Sequence, residues 1–86
     1  LLNKSQIIKA EKFTQRIIAF KKRVKTMKVT TQILDKEKSE LSKLFKVKIQ
    51  YFELRNAHNF KISNKIKNSK IFVAFFIDKV RLIDNF

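Results

Sequence analysis

Residues 71–77 read IFVAFFI, the longest apolar run in the chain, and how they fold decides the architecture. By composition the run resembles a buried strand, being rich in β-branched and aromatic side chains. Carried forward to Asn85, the same residues fit a helix: Val73, Phe76, Val80 and Ile83 are spaced by three, four and three, and Ile77 joins that face. A strand here would also need a hairpin partner and would present an open edge. The chain contains no glycine and no proline, the residues that supply positive φ angles and preset turns. The reading that follows is a helix over 71–85, with Phe72 and Phe75 turned away from its seam towards a second protein contact.

Upstream, two more helices are predicted. In residues 4–28, Ala10, Phe13, Ile17, Phe20, Val24 and Met27 form a stripe of threes and fours. Phe13, Ile17, Phe20 and Val24 are assigned to protein contact, and Lys21, Lys22, Arg23, Lys25 and Lys28 form a cationic face beside them. The β-branched run Val29, Thr30, Thr31 interrupts this helix. A second helix is expected from Asp35, as N-cap, to about Ala57, with Glu37 and Glu40 near its positive end. Its apolar positions are Leu41, Leu44, Phe45, Ile49 and Phe52. Residues 58–70 read as a polar, basic connector, and Asn68 or Ser69 can cap the last helix. The expected fold is therefore all-α: an antiparallel helical hairpin over 34–86, preceded by a basic helical extension over 1–33.

Charge sharpens the functional expectation. The 86 residues hold 21 Lys and Arg against 7 Asp and Glu, a net charge of +14. Residues 1–34 carry nine bases and Glu11 alone, residues 58–70 carry four bases and no acid, and residues 71–86 balance. Such a field favours a polyanionic partner. The acid-poor N-terminus also resembles an organelle-targeting segment. No apolar run approaches the roughly 20 residues of a membrane span. Cysteine is absent, which removes disulfides and thiolate metal sites. No glycine-rich phosphate loop can form, and the one histidine, His58, has no carboxylate neighbour in sequence. Neither catalysis nor a cofactor or metal is expected.

Cut this way, the second half resembles a known family. Leu34–Ala57, with its acidic start, helically spaced leucines and the motif Phe52-Glu53-Leu54-Arg55, is similar to the first long helix of the bacterial-type large-subunit ribosomal protein twenty-nine family. The family's polar connector and N-[ST] helix start correspond to Asn68 and Ser69, and its I-A-R-I motif to Ile77-Asp78-Lys79-Val80. The arginine pair that the family carries ahead of this motif is replaced by Ala74, Phe75 and Phe76. The resemblance covers residues 34–85 and leaves 1–33 as an extension. It implies a structural protein without enzymatic activity, lying on ribosomal RNA near the peptide tunnel exit beside the ribosomal protein twenty-three family.

The RNA-contacting set expected on this basis is Lys21, Lys22, Arg23, Lys25, Lys28, Lys48, Arg55, Lys61, Lys65, Lys67, Lys70, Lys79 and Arg81. The connector lysines bind phosphate as point charges, and Arg55 and Arg81 make the directed contacts. A mitochondrial ribosome is the expected location, with a plastid or the bacterial cytoplasm as alternatives. The competing readings are a helical subunit or assembly factor of another complex, membrane-associated or not, and a DNA-binding protein.

Overall fold

The computed structural model describes residues 2–86, and they build two helices packed on one face of a three-stranded antiparallel sheet. Helix α1 spans Lys4–Arg23 and helix α2 spans Thr31–Phe45; strands β1, β2 and β3 span Lys48–Asn56, Ser69–Ile77 and Val80–Asn85. The sheet order is β1-β2-β3.

Helix α1 begins with a capping box: Asn3 accepts from the Gln6 amide, and Gln6 returns a bond to the Asn3 amide, both 2.9 Å. It ends in Lys21, Lys22 and Arg23, cations that suit the negative end of a helix. Helix α2 starts four residues earlier than Asp35, because the Thr30 hydroxyl caps the Ile33 amide at 3.2 Å. It stops at Lys46, which adopts a left-handed conformation (φ 53°).

The all-α expectation is corrected here. The second helix does not run to Ala57; residues 48–56 are a strand, and residues 69–85 form a β-hairpin. Two physical reasons explain the error. First, β1 contains a bulge between Ile49 and Tyr51. One extra residue changes the parity of the strand, so the buried positions Ile49 and Phe52 lie three apart and imitate helical spacing. Second, the left-handed positions that the strand connections require are occupied here by Phe60 (φ 58°) and Asn68 (φ 59°) between β1 and β2 and by Asp78 (φ 54°) between β2 and β3. Asn and Asp tolerate that conformation because their short polar side chains bond locally. The turn Asp78-Lys79 then joins β2 and β3 with Ile77 opposite Val80.

Strand β2 is buried on its helix side through Ile71, Val73, Phe75 and Ile77. Opposite it, Phe13, Ile17, Phe20 and Val24 of the first helical segment are all at most 2% exposed. Phe13 stacks on Phe75 with ring centroids 4.1 Å apart and meets Phe45 edge-on at 5.6 Å. Phe20 reaches Phe52 at 6.0 Å. The residues assigned to protein contact on α1 thus fill the chain's own core, as does Phe75, whereas Phe72 lies half-buried on the other side of the sheet. Fully burying a phenylalanine contributes up to about 3 kcal/mol, so losing Phe13 would remove one of the larger single contributions.

The two helices are clasped by charge. Glu37, 1% exposed, accepts from Arg16 Nε at 3.2 Å and from Arg23 Nη2 at 3.2 Å, and Arg16 also reaches Glu40 at 3.1 Å. Arg23 lies 5.4 Å from the Phe20 ring centroid. The hydrogen bond that Arg16 donates to Glu37, opposed by desolvation and aided by the charges of Glu37 and Glu40, raises the Arg16 pKa above its ordinary value.

The sheet edges differ. The last residues of the outer edge of β1 are covered by the following loop: the Asn56 amide donates to the Lys61 carbonyl, and the Ser63 amide donates to the Leu54 carbonyl. The edge of β3 carries Asp84, whose carboxylate accepts from the Asn85 amide at 2.8 Å.

Candidate anion-binding groove

The loop between the helices, residues 24–30, and the loop between β1 and β2, residues 57–68, meet at the start of α2. They are pinned together by a hydrogen bond from the Val29 amide to the Asn64 carbonyl at 2.7 Å. Between them lies an open groove of about 650 Å³, walled by Lys28, Thr30, Thr31, Leu34, Asn56, Asn59, Lys61, Ile62, Ser63 and Asn64. The lining contains two lysines, three hydroxyl side chains and three carboxamides, and no carboxylate.

Asn56 organises the loop wall. Its side-chain oxygen accepts from the amides of His58 (2.8 Å) and Asn59 (3.3 Å). Its own amide donates to Lys61, and its carbonyl accepts from the Phe60 amide at 2.9 Å. Ser69 donates to the Ser63 hydroxyl at 2.8 Å, tying the far end of the loop to β2. Phe60 is held in its left-handed conformation (φ 58°) by a 2.7 Å bond from Arg55 to its carbonyl and by edge-on contact with Phe72. A bulky residue at positive φ is uncommon and marks an over-determined segment. The groove wall is thus a built loop.

The structure sorts the sequence-derived site residues into distinct groups. Lys28 and Lys61, far apart in sequence, meet on the groove. Lys22, Lys25, Lys65, Lys67, Lys70 and Lys79 are exposed elsewhere, and Lys21 is partly covered. Lys48 lies at a smaller cleft beside Lys46, Phe76 and Asp78. The arginines are engaged within the chain: Arg23 with Glu37, Arg55 with Glu53 and the Phe60 carbonyl, and Arg81 with Gln50 at 2.8 Å. Sequence reasoning missed Thr30, Thr31, Asn56, Asn59 and Asn64. For Thr30 the signal was a hydroxyl residue shortly before the helical stripe that begins at Ile33 and Leu34, a place that suits an N-cap. His58 is exposed, and its amide is what the structure uses. Among the described residues no cluster of side chains could hold a metal ion, and every buried side-chain polar atom has a hydrogen-bond partner.

A family model described as Pantoate-beta-alanine ligase matches residues 1–86. No curated protein and no solved structure matches the chain. The family match overturns the resemblance to the ribosomal protein twenty-nine family, which is unrelated, and with it the structural role on ribosomal RNA and the ribosomal protein partners. The short F-x-L-R and I-A-R-I correspondences fall on strands β1 and the β2–β3 turn, where their spacing has no helical meaning. The expectations of no enzymatic activity and no small-molecule substrate fall as well. The chain belongs to the pantoate–β-alanine ligase family, a family of enzymes.

Proposed function

We propose that the chain serves the ligation of pantoate to β-alanine by holding an anionic group of a substrate in the groove between the two loops. The observation that carries this reading is the lining itself: Lys28 and Lys61 share it with hydroxyls and carboxamides, and it holds no carboxylate. Joining a carboxylate to an amine requires that the carboxylate be activated, and ATP is the family's third substrate. Pantoate, β-alanine and ATP all carry negative groups near neutral pH. A net charge of +14 raises the local concentration of such ligands.

The role assigned to this chain's residues is binding and orientation. The two ammonium groups act as point charges on a carboxylate or phosphate oxygen, and the Thr30, Thr31 and Ser63 hydroxyls and the asparagine amides fix its direction. No proton transfer is assigned to the groove.

The test is steady-state amide formation from pantoate, β-alanine and ATP by the full protein carrying Lys28→Gln with Lys61→Gln. Losing charge-assisted bonds that act equally in ground and transition states raises KM for one substrate about tenfold and leaves kcat nearly unchanged. Unchanged KM values for all three substrates would sink the assignment of the groove. Titration of the same variant with ATP and with pantoate separately identifies which anion the lysines hold.

A further inference from the structure

The helices cover one face of the sheet, and the other face is not the polar surface that an uncovered antiparallel sheet usually shows. Strand register places its residues in rows. Arg55 pairs with Lys70 at one end; then come Glu53, Phe72 and Asn85; then Tyr51, Ala74 and Ile83; and Lys48, Phe76 and Arg81 close the other end. The centre is aromatic and aliphatic, and cations stand at both ends, about 20 Å apart along β2 at the rise of a strand. Glu53 is the one acid in these rows, and Arg55 neutralises it at 3.2 Å. Ile83 is 59% exposed, and Phe60, edge-on to Phe72, is 57% exposed.

We propose that this face lies on an anionic lipid surface, with Phe60, Phe72 and Ile83 in the headgroup boundary and Lys48, Lys70 and Arg81 on the lipid phosphates. A planar apolar patch with cations at its two ends matches a surface that demands no shaped pocket, and both terms that drive interfacial binding are present. The charge sign selects anionic over neutral lipid. A second copy of this chain is a poor occupant, because two bodies of charge +14 repel. The contact is peripheral: no helix among the described residues is long and apolar enough to cross a membrane. This sheet face shares no residue with the groove lining.

The chain has no tryptophan, so Phe60→Trp supplies a single reporter at an exposed position. With phosphatidylcholine vesicles containing phosphatidylserine, the expected result is co-sedimentation and a blue-shifted emission, with neither on phosphatidylcholine alone. In that background Ile83→Ser lowers the partition coefficient several-fold through lost apolar burial. The pair Ile7→Ser and Ile18→Ser, exposed on α1, leaves it unchanged, and circular dichroism confirms the fold of each variant. Sedimentation without a blue shift shows adsorption by charge alone and overturns the proposal. So does equal weakening by the α1 pair, or saturable binding to an RNA oligonucleotide or to polyglutamate with no vesicle partition.

Discussion

The helix clasp and the groove use the same kinds of charged side chain to opposite ends. At the clasp, Arg16 and Arg23 converge on the buried Glu37, and each charge has an opposite partner within about a hydrogen bond's reach. At the groove, Lys28 and Lys61 converge with no acid in the lining. The clasp spends its charge internally and leaves nothing for a ligand; the groove keeps its charge available. Paired cations here mark architecture, and unpaired converging cations mark a binding surface.

This contrast can be broken most severely from the clasp. Replacing Arg16 and Arg23 together by alanine strands Glu37 as an unpaired charge at 1% exposure. Removing the partners of a buried charge costs about 3 kcal/mol or more, a loss to be read as a lower urea midpoint. A midpoint within error of wild type would show that Glu37 is solvated. A smaller gain, about 1 kcal/mol, is expected from Lys46→Gly, since a non-glycine residue in the left-handed region is strained; an unchanged midpoint would remove that strain from the account. Glu37→Leu comes next, within about 1 kcal/mol of wild type, because the buried charge is removed and the arginines it releases, 31% and 60% exposed, can turn to water. Least of all, Lys28→Gln with Lys61→Gln shifts stability by no more than about 0.5 kcal/mol, as surface changes do, while altering substrate KM. A large loss of stability there would make the groove a structural element and erase the distinction.

The pH dependence follows the same division. The Arg16 pKa is raised in the folded state, chiefly by its bond to Glu37. A raised pKa stabilises the fold fully below the unfolded value and is lost only as pH climbs through the folded one. For Arg16 that window is strongly alkaline, so this group contributes no change in urea midpoint between neutral and mildly basic pH.

Legibility in the sequence tracked how local each determinant is. The stripe on α1 and the break at Val29-Thr30-Thr31 were visible because helical spacing and β-branching act within a few residues. The sheet was not visible, because the bulge near Gln50 altered the strand's period and the turn positions fell to Asn68 and Asp78 in a chain without glycine. Glu37 was assigned to the helix dipole, although its place four residues before Leu41 put an acid inside the apolar stripe and hinted at a buried pair. Of the groove, the lysines were recognised individually. Their placement on one groove was not, since it depends on distant loops brought together by contacts such as the Val29–Asn64 hydrogen bond.

The bulge also bears on how this strand tolerates change in length. Val47 and Ile49 lie before it and Phe52 and Leu54 after it, all four buried, while Gln50 is exposed and bonded only to Arg81 through its side chain. Deleting Gln50 would restore plain alternation with each of those apolar residues still facing the helices. Removing any single one of its neighbours in the strand's second half would instead turn part of the strand inside out. Among relatives of this chain, insertions and deletions within β1 should therefore gather at the bulge, at Gln50 or Tyr51.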